Sequence, residues 1–211
     1  MNIKHICFLT LALLVLCACS GGKKAGINPM VEELDNTPDY AELVTLLEVD
    51  GDSLLLQPDN DLEQPRVYAY REAEAAGNIK GTLTAGDLYS IFPDTKHRRV
   101  AICINVSELR GQWFYDMQQH RGMQFEERGG LSSINTERCS FREWKLLNGR
   151  LYLYYVDMQQ VAADRHEFSV DEAEILSLTA EELQFSFLDS VWTCRRQHGP
   201  VKFGAPLENN Q

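Results

Sequence analysis

The groups in this 211-residue chain that could support acid–base or metal chemistry are few and scattered. His97, His120, His166 and His198 are far apart in sequence. His120 and His166 lie near loop segments, with Asp164 and Glu167 close in sequence, the minimum for a proton-relay pair or a weak metal site. No HExxH, nucleophile elbow, phosphate-cradling loop or paired-carboxylate pattern accompanies them. Cys103, Cys139 and Cys194 form no CxxC pair and have no histidine at zinc spacing. The histidines therefore read as loop residues, no metal or cofactor is assigned, and the chain is not read as an enzyme. One tetrapeptide recurs: Asp116-Met117-Gln118-Gln119 and Asp157-Met158-Gln159-Gln160. Methionine adapts to irregular apolar contacts. Met117, Gln118, His120, Met158 and Gln159 thus read either as the rim of a ligand mouth or as solvated loops that happen to match.

The start of the chain carries a different chemistry. Lys4 and His5 precede the apolar run Ile6–Leu16, which is too short for a bilayer span of about 20 residues. It ends in Leu16-Cys17-Ala18-Cys19, a sequence that resembles a bacterial lipobox. Cys19 is the better modified position, because cleavage before Cys17 would place the bulky Leu16 at the cut site. The resemblance implies a signal peptide over residues 1–18 and acylation of Cys19 with diacylglyceryl and N-acyl chains. Several chains together anchor firmly, since each buried methylene contributes about 0.8 kcal/mol. Ser20 fits sorting to the outer membrane; the motif does not specify a face.

After residue 18 there remain 19 basic and 31 acidic residues, a net charge of −12. Nucleic acid needs a basic patch, and none is visible. Acidity of this kind favours solubility. The three later cysteines lie outside a reducing compartment, and their odd number leaves at least one unpaired within a chain.

The remaining elements are short strands. Residues 19–39 are polar and read as a tether. Residues 40–105 alternate through six strands, with Asp50-Gly51-Asp52 as a hairpin turn, and suggest a small β-barrel of SH3 or OB type or a half-sandwich. Residues 106–196 hold eight more: 112–116, 122–127, 131–135, 139–147, 150–156, 166–178, 183–188 and 191–195. Asn148-Gly149 is a type I′ turn signal, and Leu183, Phe185 and Phe187 alternate with Gln184 and Ser186. Leu151–Val156 is apolar on both faces, which suits a strand covered on each side or one lining a pocket. Eight antiparallel strands joined by hairpins imply an up-and-down barrel that removes its edges by closing. Residues 197–211 form a tail.

Gly111-Gln112-Trp113 resembles the Gly-x-Trp motif on the first strand of lipocalins. Arg121–Trp144, Lys145–Leu153 and Ile175–Leu183 are similar to the lipocalin-like domain of lipoproteins from Bacteroides-type bacteria, a resemblance covering about residues 106–190. It implies an all-β chain whose second half is a short eight-stranded antiparallel lipocalin-like (calycin-type) barrel. It also implies an arginine of the last strand, Arg195 or Arg196, packed over Trp113 at a closed base, a contact that cation–π attraction supports. On that strand order the loops 117–120, 135–138, 157–164 and 189–190 share the upper rim. Cys139 and Cys194 then lie a strand length apart, about 17–20 Å, too far for a disulfide, whereas Cys103–Cys194 stays open.

Two functions follow from this. One is a binding module, anchored to the membrane through Cys19 and holding a small apolar or amphipathic ligand. The other is a structural or protein-interaction module of the envelope with a barrel filled by side chains.

Overall fold

The computed structural model describes residues 42–59, 63–136, 139–158 and 168–197. The signal segment, Cys19, the tether, Gln159, His166, His198 and most of the tail lie outside them.

The first barrel is built from β1 (Glu42–Asp50), β2 (Ser53–Pro58), β3 (Arg66–Ala69), a helical turn α1 (Arg71–Ala75), β4 (Ile79–Lys80), β5 (Leu88–Asp94) and β6 (Arg99–Asn105). β1 and β2 pair across Gly51, whose φ of +53° the tight turn requires. Neighbouring strands follow the order β3-β2-β1-β5-β6, and a parallel contact between Ala69 and Arg99 closes the ring. A closed five-stranded barrel with one parallel pair and a helix between its third and fourth long strands has the Greek-key path of an OB-type barrel. Val44, Leu46, Leu54, Leu56, Tyr68, Tyr89, Ile91 and Val100 fill it. β4 stops at Lys80. Gly81 turns the chain away at φ +91°, where a side chain would strike Glu108 and Asn105.

A short helix, α2 (Val106–Leu109), joins the two barrels. Asn105 is fully buried at its N-cap, accepting from the Glu108 amide at 2.8 Å. Its Nδ2 donates to the Thr82 carbonyl and to Asp87. Every hydrogen-bonding group of that side chain is thus occupied where the fold changes direction.

The second barrel comprises β7 (Gly111–Asp116), β8 (Arg121–Phe125), β9 (Leu131–Ile134), β10 (Cys139–Leu147), β11 (Arg150–Asp157), β12 (Phe168–Leu178), β13 (Glu182–Phe187) and β14 (Ser190–Arg196). Each pairs antiparallel with its successor except β9 with β10, and β14 returns to β7. The β9–β10 seam is joined instead by one bridge, Gly130 with Glu143, and by the Trp144 amide donating to the Gly129 carbonyl at 2.8 Å. Ser133 Oγ completes it, accepting from the Phe141 amide at 2.7 Å and donating to the Cys139 carbonyl at 3.2 Å. The barrel is nearly closed.

Leu151, Leu153 and Tyr155 of β11 point inward and are buried. The outer face of that strand differs from the two-sided cover expected: Tyr152, Tyr154 and Val156 are half-exposed. Lys145 lies over the Tyr154 ring at 4.9 Å and Tyr152 donates to Glu172, so polar partners serve this wall. The two barrels touch through Lys80, which donates to the Leu176 carbonyl at 3.0 Å, and through Gly149, where a side chain would collide with Ile102.

Candidate functional site

The lower end of the second barrel is sealed by the Gly-x-Trp strand. Trp113 is fully buried, and its indole N–H donates to the Leu109 carbonyl at 2.7 Å. The register sets Arg196 directly opposite Trp113 and Arg195 opposite Phe114. Side chains alternate along a strand, so only Arg196 turns inward. Its guanidinium carbon lies 4.3 Å from the Trp113 ring centre. The same group donates to the carbonyls of Glu108 and Arg110, capping α2. Burial lowers the Arg196 pKa from its ordinary value. Arg195 projects outward, 3.7 Å from Glu182. Gly111 has φ +111°, and a side chain there would meet the Arg196 guanidinium at 2.8 Å. The glycine, the tryptophan and Arg196 therefore form one structural unit in which the arginine needs the glycine's missing side chain.

Above this floor apolar side chains pack the interior. Met123, Phe125, Leu131, Leu151, Leu153, Ile175 and Leu183 are buried. Over them lies a layer of rings. Phe141, Tyr155 and Phe187 meet with centroids 5.5–6.1 Å apart, and Trp192 stacks on Phe185 at 6.0 Å. Tyr155 donates to the inward-facing Asp171 at 2.6 Å, and burial followed by that carboxylate raises its pKa above the usual tyrosine value. Such contacts add about 0.5–1.5 kcal/mol per ring pair beyond burial.

The interior reaches solvent beside Trp192. β14 pairs with β13 along its length, but only Arg195 and Arg196 pair with β7. Above them no further residues of the two strands are laddered. A groove there, about 300 Å³ and open on one side, is lined by Tyr115, Leu188, Ser190, Val191, Trp192 and Thr193. Tyr115 meets Trp192 edge-on at 4.9 Å. Leu188 and Asp189 form the β13–β14 turn with φ values of +49° and +56°, a conformation that asparagine and glycine adopt far more easily than leucine. That strained turn holds an apolar wall over the groove.

Met117, Gln118, His120 and Met158 are not among the residues that line this groove. Met117 and Gln118 are exposed in a turn whose amides at Gln118 and Gln119 donate to Asp116. His120 packs edge-on against Phe114, with centroids 6.2 Å apart, away from the groove. Met158 is exposed at the end of β11. The groove residues were legible only as strand positions, and no local motif marks them. Cys103, Cys139 and Cys194 are buried and form no disulfide among the described residues. Burial pushes the thiols of Cys103 and Cys194 up to about 12. Among the described residues, no three His, Cys, Asp or Glu side chains gather at a metal-binding distance.

Residues 105–190 match the family model described as lipocalin-like. No curated protein matches the chain. Among solved structures, the chain is similar to a lipocalin-like protein from Bacteroides thetaiotaomicron VPI-5482, at 24% sequence identity and a TM-score of 0.36. That similarity covers 41% of this chain and 94% of the other. The second barrel is a lipocalin-like domain.

Proposed function

We propose that this lipocalin-like domain is a binding module of the cell envelope, lipid-anchored through Cys19, which holds a small amphipathic ligand at its mouth. The observation that supports it is the aromatic groove at Tyr115 and Trp192, open on one side beside the barrel's layer of packed rings. Binding there is shallow, against the rings. Among the described residues, neither the Trp192 N–H nor the hydroxyls of Ser190 and Thr193 has a hydrogen-bond partner, so the groove offers polar contacts beside an apolar wall.

Two measurements test this reading. Native mass spectrometry of the delipidated protein is expected to show a co-purifying small molecule, and Nile red is expected to bind with at least tenfold loss on Trp192→Ala. A clean apo mass together with Nile red binding indifferent to Trp192 would remove the proposal. The anchor is tested separately: Cys19→Ala should abolish labelling by a palmitate analogue and release the protein from the outer-membrane fraction.

The packed interior also supports a second reading, a protein-interaction module with no small ligand. Phe168 and Val170 stand exposed side by side on the outer wall of β12 and would supply such a module with an apolar contact surface.

A further inference from the structure

The ring layer at the mouth of the second barrel holds a carboxylate that no described basic side chain balances. Asp171 stands opposite Leu153 in the β11–β12 ladder and shares the inward face of that buried leucine. It is half-buried, and it accepts from the Tyr155 hydroxyl at 2.6 Å but forms no ion pair with a described residue. The Tyr155 ring meets Phe187, and Phe187 meets Trp192 edge-on at 6.0 Å. A charge that has lost part of its hydration among rings gains from a cation brought to it.

A second carboxylate lies at the same end. β12 and β13 pair Glu174 with Ser186 and Ile175 with Phe185. Carried on towards the turn, that register brings Asp171 level with Asp189. Asp189 is exposed between Leu188 and Ser190, both of which line the groove, and it too forms no ion pair with a described residue. No lysine or arginine lines the groove. On the flanking strands, Arg195 projects outward beside Glu182 at 3.7 Å, and Arg121 stands across the ladder from Asp116. Asp116 itself accepts from the amides of Gln118 and Gln119.

We propose that the ligand of this groove is an organic cation, a small amine or quaternary ammonium with an apolar body, which lies against Tyr115 and Trp192 with its charge balanced by Asp171 and Asp189. The proposal rests on the binding reading above and names the ligand's class. Indole and phenol rings attract a cation through their negative faces, tryptophan most strongly. The two carboxylates repel an anionic head group, so a fatty-acid anion is selected against, and a neutral head leaves both without a partner. The groove, about 300 Å³, is at the small end for ligand pockets and suits one short chain or ring system. The net charge of −12 on the mature chain steers cations towards it.

The test uses the full chain, Nile red as reporter, and three amphiphiles that share an octyl tail: octyltrimethylammonium, octanol and octanoate, each below its micelle concentration. The cation is expected to displace Nile red about tenfold more effectively than octanoate, with octanol between them, and raising the salt should narrow the gap. Asp171→Asn and Asp189→Asn should each lower the affinity for octyltrimethylammonium relative to octanol by about threefold. Asparagine still accepts from Tyr155 and suits the positive φ at position 189, so neither substitution removes a contact that the fold needs. Glu48→Gln, which removes an exposed charge from the first barrel, should leave the ratio at the wild-type value. If Nile red fails to bind at Trp192, the groove is not a ligand site and both readings fall. Should Nile red bind and the three heads displace it equally, the cation is overturned and the binding reading stands. A cation preference that survives in both aspartate variants, or that falls equally in Glu48→Gln, would trace it to the overall charge and overturn the assignment to Asp171 and Asp189.

Discussion

Single atoms decide the two ends of the lipocalin-like barrel. At the floor, Gly111 lacks the carbon that Arg196 would strike, and its φ of +111° suits only glycine. Gly111→Ala should therefore cost about 1–3 kcal/mol, read as a lower urea midpoint at unchanged m-value. Leu188 shows the reverse situation at the mouth. A left-handed backbone costs an ordinary residue about 1–2 kcal/mol, so Leu188→Asn should raise the melting temperature by several degrees while weakening Nile red binding. Loss of the stabilisation would mean that the turn is not strained. The buried thiols give a pH prediction. Cys103 and Cys194 have folded-state pKa values of about 12, against about 8.5 in an unfolded chain. Their contribution is intact below the unfolded value and is lost as pH rises towards the folded one, because only the unfolded chain then releases the protons. Stability should fall between pH 9 and 12, and less steeply in Cys103→Ala and Cys194→Ala when each is compared with its own stability at pH 7. All three thiols should resist a thiol reagent at pH 8 until the chain is denatured.

At the scale of elements, the barrel has two weak joins of different character. The β9–β10 join lacks a ladder but is bridged by Ser133, whose hydroxyl serves Phe141 and Cys139. Removing that hydroxyl leaves a part-buried amide without its acceptor. Ser133→Ala should cost about 1–2 kcal/mol and speed exchange of the Phe141 amide without altering ligand binding at the mouth. The β7–β14 join is laddered only at its base, where Arg195 and Arg196 meet Phe114 and Trp113. The turns between these strands were visible in advance. Asn148-Gly149 adopts positive φ at both residues, as its type I′ signal requires. Leu188-Asp189 has the same geometry with leucine in place of the usual first residue, so the turn expected at 189–190 begins one residue earlier.

At the scale of the whole molecule, the barrels meet at α2, where Asn105, Glu108, Gly81 and Arg196 converge. Asn105 is fully buried with its donors and acceptor occupied. Asn105→Ala should lower stability by about 2–3 kcal/mol, and tryptophan fluorescence, which reports only on the second barrel, should shift together with far-UV circular dichroism. Separate transitions would show that the barrels unfold independently. The all-β class, all eight strands of the second barrel and the pairing of a last-strand arginine with Trp113 were legible in the residues. Each follows from short-range alternation, glycine turns and a strand count, and the lipocalin resemblance lay in the same local motifs. Choosing Arg196 over Arg195 needed the register. The groove needed more, because Tyr115 and Trp192 are 77 positions apart and meet only through barrel closure. Where the β7–β14 ladder stops depends on bulges, twist and packing summed around all eight strands. Sequence by itself determined which segments are strands and which way they turn. Only the tertiary structure decided where the closed sheet stays open, since that gap is the remainder left when every local preference has been met.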